Sequence, residues 1–151
     1  MSRSVKPRIR VVVGSAGLVA LSLISACLRS TGPQAPLIQL AGTWNYTGVQ
    51  TSPVRETLSG TLNITSESGT SFQGRVDLVG INQANQSRVL GGLVSGAELG
   101  TDIIDFDASV ETTPRRHVGQ IVADTISGTW IGSAPDGTKS SGTFRVERVT
   151  R

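Results

Sequence analysis

A glycine-centred repeat with a period of two is the feature of this sequence that most restricts its fold. Six segments place a glycine between residues, two positions away on either side, that are mostly apolar: 58–62, 72–76, 90–94, 117–121, 126–130 and 140–144. Residues two apart lie on the same face of a β-strand. The repeat therefore predicts strands on which glycines and apolar side chains share one buried face.

The same alternation continues outside the repeats, and no stretch after residue 40 has a helical period. Ile104, Phe106 and Ala108, for example, alternate with Asp105 and Asp107. Clean alternation is typical of antiparallel strands with one solvated face, and turn residues such as glycine, proline and aspartate separate the segments. The predicted strands are 41–48, 57–66, 70–79, 88–96, 101–111, 115–123, 125–132 and 139–149.

Eight consecutive strands with short connections predict an all-β fold, an eight-stranded antiparallel up-and-down β-barrel. The inward position of the glycines favours closure, because a missing side chain lets a strand coil sharply or approach its neighbour. A two-sheet sandwich is the alternative.

The N-terminal segment has the three parts of an export signal. Residues 1–10 carry four basic and no acidic residues, residues 11–25 are apolar or small, and Cys27 is the only cysteine of the chain. The run Ile24-Ser25-Ala26-Cys27 resembles the lipobox of bacterial lipoproteins. The resemblance implies cleavage before Cys27, a lipid on its sulfur, and a location in the cell envelope. By the same resemblance, Leu28 favours the outer membrane.

Two alternatives to this interpretation remain, an ordinary secretory signal with a chance cysteine and a retained membrane helix. The predicted organisation is a cleaved signal over 1–26, a lipidated Cys27 and flexible tether over 27–40, and a barrel domain over 41–151.

Cleavage would leave ten basic against eleven acidic residues, a formal net charge of −1 instead of +3. The high isoelectric point then belongs to the signal, and nothing favours a nucleic-acid partner. With Cys27 acylated, disulfides and thiolate chemistry are excluded.

All six aromatic residues fall on the inferred inward phase, where they either pack as a core or line a lumen that binds a small apolar ligand. An eight-stranded barrel is wide enough for one or the other. The six are Trp44, Tyr46, Phe72, Phe106, Trp130 and Phe144.

Gly42-Thr43-Trp44 resembles the Gly-x-Trp signature of lipocalins, whose tryptophan lies under a basic residue at one end of the barrel. Arg148 is the candidate for that basic residue, and a closed meander would place the end of strand 8 beside the start of strand 1. The resemblance rests on one tripeptide, since the second lipocalin signature and the usual helix and disulfide are missing. Avidin-like barrels also open with Gly-Thr-Trp, but their polar biotin ligands have no match here.

The remaining chemical candidates favour structural roles, and the sequence predicts no enzyme, no cofactor and no metal. His117 is interpreted as a satisfied inward residue at the barrel rim, and no Gly-x-Ser-x-Gly elbow accompanies it. Asp105, Asp107 and Glu111 form a solvated row on the wet face of a strand, with Asp102 nearby. Arg115 and Arg116 are expected at the surface, where they could meet a lipid headgroup.

Two functions therefore stay open for an envelope lipoprotein. The first is binding of a small apolar molecule in the lumen. The second is a non-enzymatic interaction module, such as a protease inhibitor or a subunit of an envelope complex, with a solid barrel. Interior volume separates them, because a small-molecule site needs a cavity of about 300 Å³ or more.

Overall fold

The computed structural model describes residues 38–110, 113–133 and 136–149, and these form eight β-strands. None of these residues belongs to a helix long and apolar enough to cross a membrane. The predicted signal, Cys27 and most of the tether lie outside the described residues. The strands are β1 Gly42–Ser52, β2 Glu56–Ser68, β3 Ser71–Asn82, β4 Ser87–Leu99, β5 Ile103–Ala108, β6 Arg115–Val122, β7 Thr125–Ser133 and β8 Lys139–Arg148.

Each strand pairs antiparallel with the next, and β8 returns to pair with β1, so the sheet is a closed barrel. Trp44 lies opposite Arg148 across this closing seam, and Gly48 lies opposite Phe144. The prediction of an eight-stranded up-and-down barrel is confirmed, and the sandwich alternative is wrong. Closure leaves neither β1 nor β8 with an unpaired edge that could recruit another strand.

Strand β5 is shorter than the predicted range of 101–111. The chain leaves the ladder after Ala108, where the Val110 amide donates to the Ala108 carbonyl at 2.9 Å in a tight turn. The Ser109 amide still donates to Leu93 on β4 at 2.8 Å. The predicted strand is too long here because the apolar alternation continues to Val110, which is buried although it is outside the strand.

The core fills the barrel interior with the side chains that share the inward phase. All six aromatic residues are buried, together with leucine, isoleucine and valine residues from the strands. The inward glycines admit close strand contact. A methyl group at Gly128 would lie 2.0 Å from the Val118 carbonyl oxygen on β6.

The packed unit begins before the predicted boundary at residue 41. Leu40 is buried, and Ile38 packs against the core. The Trp44 indole Nε1 donates to the Leu40 carbonyl at 2.9 Å, and the Glu67 carboxylate accepts the amide protons of Leu40 and Ala41. The last residues assigned to the tether therefore close one end of the barrel.

Candidate functional site

One end of the barrel is closed by a stack of Arg148 on Trp44. The guanidinium carbon lies 4.3 Å from the indole ring centroid. Its Nη1 donates to the Ala41 carbonyl at 3.1 Å, another nitrogen donates to the Gln39 carbonyl, and Nε reaches Asp124 at 3.2 Å. Arginine suits this place because its planar group can stack and donate several hydrogen bonds at once. The structure thus brings together the two residues that the sequence paired.

The middle of the barrel is a packed layer of rings. The Phe106 and His117 rings stack with centroids 4.5 Å apart, and Phe144 lies edge-on to both. Tyr46 stacks on Phe144 at 6.1 Å. The space left between Tyr46, Phe106 and His117 is too small for a water molecule. These aromatic side chains pack against one another and line no open cavity.

His117 is a neutral, hydrogen-bonded member of that layer. Its Nδ1 lies 2.9 Å from the Arg115 carbonyl oxygen, and its Nε2 lies 3.2 Å from the Tyr46 hydroxyl. Burial lowers the pKa of His117 to about 4, since the charged ring would lose its hydration. Burial likewise raises the pKa of Tyr46. Both ring nitrogens have partners, as the sequence suggested, but the ring lies inside the barrel and not at its rim.

The opposite end of the barrel holds an open cavity of about 410 Å³, here called the mouth pocket. On β1, Gln50 at this end is six residues from Trp44 at the closed end, a separation of about 20 Å along a strand. Four of the five buried polar or charged residues among those described line the mouth pocket. Its walls are Gln50, Glu56, Arg88, Arg115 and Ser140, with Pro53, Val54 and residues of the β3–β4 connection.

A buried carboxylate forms one wall of the mouth pocket. Glu56 is only 5% exposed and accepts two hydrogen bonds from Arg88, at 2.8 Å to Oε1 and 2.6 Å to Oε2. Gly80 on β3 leaves the room for this carboxylate, because a methyl group there would lie 2.2 Å from Oε1. The bidentate contact fixes the orientation of both side chains.

Arg115 forms another wall, and the expectation that it is solvated is wrong. The residue is 5% exposed, and its guanidinium carbon lies 4.4 Å from the centroid of the Trp130 ring. Arg115 lies two residues before His117 and therefore shares its inward phase. The aromatic face offers the desolvated cation a favourable electrostatic contact.

Ser140 and Gln50 complete the polar lining of the mouth pocket. The Gln50 amide nitrogen donates to the Val54 carbonyl at 3.0 Å and so ties the β1–β2 connection to the pocket. The Ser140 hydroxyl is buried and has no hydrogen-bond partner among the described residues. Sequence reasoning missed these pocket residues, although extending the inward phase by one step from Leu58, His117 and Gly142 reaches Glu56, Arg115 and Ser140.

One carboxylate of the acidic row on β5, that of Asp105, is paired with an arginine on the outer face of the barrel. Arg116 donates to Asp105 at 3.1 and 2.6 Å, and this hydrogen bonding lowers the pKa of the Asp105 carboxyl. Gln120 donates to Asp102 at 2.8 Å. Glu111 lies outside the described residues. Within the described part of the chain, no three His, Cys, Asp or Glu side chains are grouped so that they could hold a metal ion.

Comparison with known proteins identifies similar folds but no family. No protein-family model matches the chain, and no curated protein matches its sequence. The structure is similar to that of EF1p2_mFAP2b bound to DFHBI, with a TM-score of 0.60 at 14% identity over 73% of this chain and 94% of that one. It is also similar to the redesigned β-barrel mFAP1 bound to DFHBI, with a TM-score of 0.54 at 16% identity over 72% of this chain and 94% of that one.

A third similar structure is that of a structural-genomics protein of unknown function from Bacteroides ovatus. Its TM-score is 0.52 at 9% identity, and the match covers 74% of this chain and 42% of that one. The chain thus spans less than half of that protein. At these identities the likeness is one of fold, and the described part of the chain is a small eight-stranded antiparallel β-barrel.

Proposed function

We propose that this protein is a lipid-anchored envelope protein that binds a small molecule in the mouth pocket. The observation that carries the proposal is the convergence of four buried polar side chains on one open cavity of about 410 Å³. Ligand sites in proteins are typically cavities of this size with a few placed polar groups. Burying a polar group costs free energy unless the group is hydrogen-bonded. The clustering of such groups at an opening therefore favours a ligand that bonds to them.

The fold likeness supports the proposal at the level of architecture. EF1p2_mFAP2b and mFAP1 are barrels of similar size, and both structures have DFHBI bound. A barrel of these dimensions can therefore accommodate a small molecule. The site proposed here lies at the mouth and not among the aromatic rings, because those rings leave no space between them.

Binding is favoured over catalysis by the environment of the one histidine. His117 is buried among rings, and its two nitrogens are engaged by Tyr46 and a backbone carbonyl. The mouth pocket has Glu56 held by Arg88 and no histidine to act with it among its described lining residues. The groups at the opening are thus arranged to recognise a molecule.

The envelope location rests on the lipobox resemblance at Cys27, with Leu28 favouring the outer membrane. The full-length protein expressed in a bacterial host should partition into the membrane fraction, and its mature N-terminus should be a Cys27 that carries acyl chains. Two anchoring signals suffice for stable membrane attachment. The Cys27→Ser variant should carry no lipid, whereas Ser25→Ala keeps a small residue and should be processed normally. An unlipidated wild-type protein would contradict the anchor.

The binding function is tested by native mass spectrometry of the full-length protein released from membranes in a mild detergent. We expect a fraction of the protein to carry a co-purified small molecule, and substitution of Glu56 by Gln to reduce that fraction. A consistently empty protein would overturn the proposal and favour the interaction module with a solid barrel.

A further inference from the structure

We propose that the mouth pocket takes an uncharged, hydroxyl-rich small molecule of the size of a mono- or disaccharide. The inference rests on the proposed function and adds the chemical class of the ligand to it. Its basis is the mixture of hydrogen-bonding groups that lines one cavity.

The charges of the pocket disfavour a charged ligand of either sign. Glu56 and Arg115 are each 5% exposed and line the same opening, with Arg88 beside Glu56. Arg88 and Glu56 are bound to each other, so an organic anion would have to compete with Glu56 for Arg88, and an organic cation would have to compete with Arg88 for Glu56. Arg115 already lies on the Trp130 ring. A hydroxyl group can donate to a carboxylate and accept from a guanidinium, so a neutral polyol suits both walls.

The Ser140 hydroxyl gives an independent reason for a hydrogen-bonding ligand. It is buried, it lines the pocket, and it has no partner among the described residues. Covering such a hydroxyl with an apolar group costs free energy, because the hydroxyl then loses its hydrogen bonds to water. A hydroxyl of the ligand could donate a hydrogen bond to it or accept one from it. An apolar ligand would leave it unpaired and would also remove water from the Glu56 carboxylate.

The shape of the pocket agrees with a ring-sized polar molecule. Its volume of about 410 Å³ lies at the small end of the range for ligand sites. Pro53 and Val54 provide an apolar strip at one side, against which the C–H groups of a sugar ring could pack. None of the six aromatic side chains of the barrel lines the pocket, so hydrogen bonds would carry most of the affinity.

The test uses ligand-observed NMR on the full-length protein in a detergent without a sugar headgroup. The neutral probes are glucose, maltose and myo-inositol, and the charged probes of similar ring size are cyclohexanecarboxylate and cyclohexylammonium. We expect saturation transfer to at least one neutral probe and none to the charged ones. Stronger transfer to a charged probe would overturn the assignment of a neutral ligand.

A matched pair of serine variants separates binding from packing. Ser140→Ala should weaken binding of the responsive probe by roughly 3- to 10-fold, the range for loss of one hydrogen bond. The same variant should leave the melting temperature of the ligand-free protein nearly unchanged, because water in the open pocket can hydrogen-bond with this hydroxyl. Ser141→Ala is the control, since its side chain faces outward beside Thr51. Unchanged affinity in Ser140→Ala would overturn the role of this hydroxyl.

Failure of the ligand class is distinguishable from failure of the binding function. A charged or apolar molecule identified by native mass spectrometry would keep small-molecule binding and refute the neutral polyol. An empty protein that binds none of the five probes would refute both.

Discussion

At the scale of single residues, one arginine lies at each end of the barrel, and the sequence predicts the place of only one of them. Arg148 stacks on Trp44 at the closed end, and Arg115 stacks on Trp130 at the mouth. The first was expected from its inward phase and from the lipocalin resemblance. The second was expected in solvent, because a pair of adjacent arginines at a strand start looks like a charged surface. Only one member of such a pair can face outward, and here that member is Arg116.

Arg148→Ala is expected to destabilise the protein by about 1–3 kcal/mol. The substitution removes the guanidinium stack and leaves the carbonyls of Gln39 and Ala41 without their donor. Urea unfolding followed by circular dichroism measures the change. Arg145→Ala on the same strand is the control, since the Arg145–Glu147 pair is exposed, and it should stay within roughly 0.5 kcal/mol. Equal effects of the two variants would contradict the closing role of Arg148.

His117 should make the stability of the protein depend on pH. Burial lowers its pKa to about 4 from the ordinary 6.5, so between these values the unfolded chain binds a proton that the folded barrel excludes. Stability is therefore highest above the unfolded pKa and falls as the pH drops toward about 4. From about pH 7 to about pH 5 the loss attributable to His117 is about 2 kcal/mol.

The variant His117→Gln isolates this contribution, because it keeps a polar side chain beside Tyr46 but does not titrate. Its urea midpoint should change less than that of the wild type over the same pH interval. Carboxylates titrate in both proteins and cancel in the comparison. Parallel pH profiles for the two proteins would show that His117 is accessible to protons in the folded state.

At the scale of elements, the inward glycines determine how closely neighbouring strands can pack. Strands β6 and β7 bring Gly119 directly opposite Gly128. A methyl group at Gly128 would lie 2.0 Å from the Val118 carbonyl oxygen and 2.5 Å from the Gly119 α-carbon. These neighbours are backbone atoms, so the clash could be relieved only by moving a strand. The repeat that identified the strands in the sequence is therefore a packing requirement of the barrel wall.

Gly128→Ala should cost about 3 kcal/mol or more, because backbone clashes are relieved less easily than clashes with side-chain ends. Gly91→Ala is the matched control on the outer face of β4. Its added methyl group would meet the end of the Asp77 side chain at 2.9 Å, which can rotate away, so the expected change is within roughly 0.5 kcal/mol. Chemical denaturation of both variants provides the comparison, and a tolerated Gly128→Ala would refute the close contact between β6 and β7.

At the scale of the whole molecule, closure makes the barrel one cooperative unit. Every strand has two neighbours, and the buried hydrophobic residues of the described part of the chain form one core that all eight strands surround. Loss of any strand would open the sheet and expose the ring layer to water. Small single domains of this kind usually unfold in one step.

The two tryptophans allow this cooperativity to be measured, since Trp44 lies at the closed end and Trp130 near the mouth. In Trp44→Phe and in Trp130→Phe a single indole remains as reporter. Within each variant, we expect the fluorescence midpoint in urea to coincide with the midpoint from far-ultraviolet circular dichroism. A reporter that melts before the strands would show that its end of the barrel unfolds separately.

The sequence by itself determined the class of fold, the strand count and the inward phase, because a period of two is a local property that survives without tertiary information. It also led to Trp44 and Arg148, since both lie on that phase at strand ends that closure must bring together. The same phase applies at Glu56 and Ser140, but a polar residue near a strand end is usually solvated, so the pattern there carried no signal for a site.

Only the tertiary structure decided what the interior contains. Whether six inward rings leave a lumen depends on how they pack in three dimensions, and here Phe106, His117, Phe144 and Tyr46 fill it. The mouth pocket arises because closure brings β1, β2, β6 and β8 around one axis and buries Gln50, Glu56, Arg115 and Ser140 together. These residues are far apart in the chain, and no local pattern can encode the distance between them.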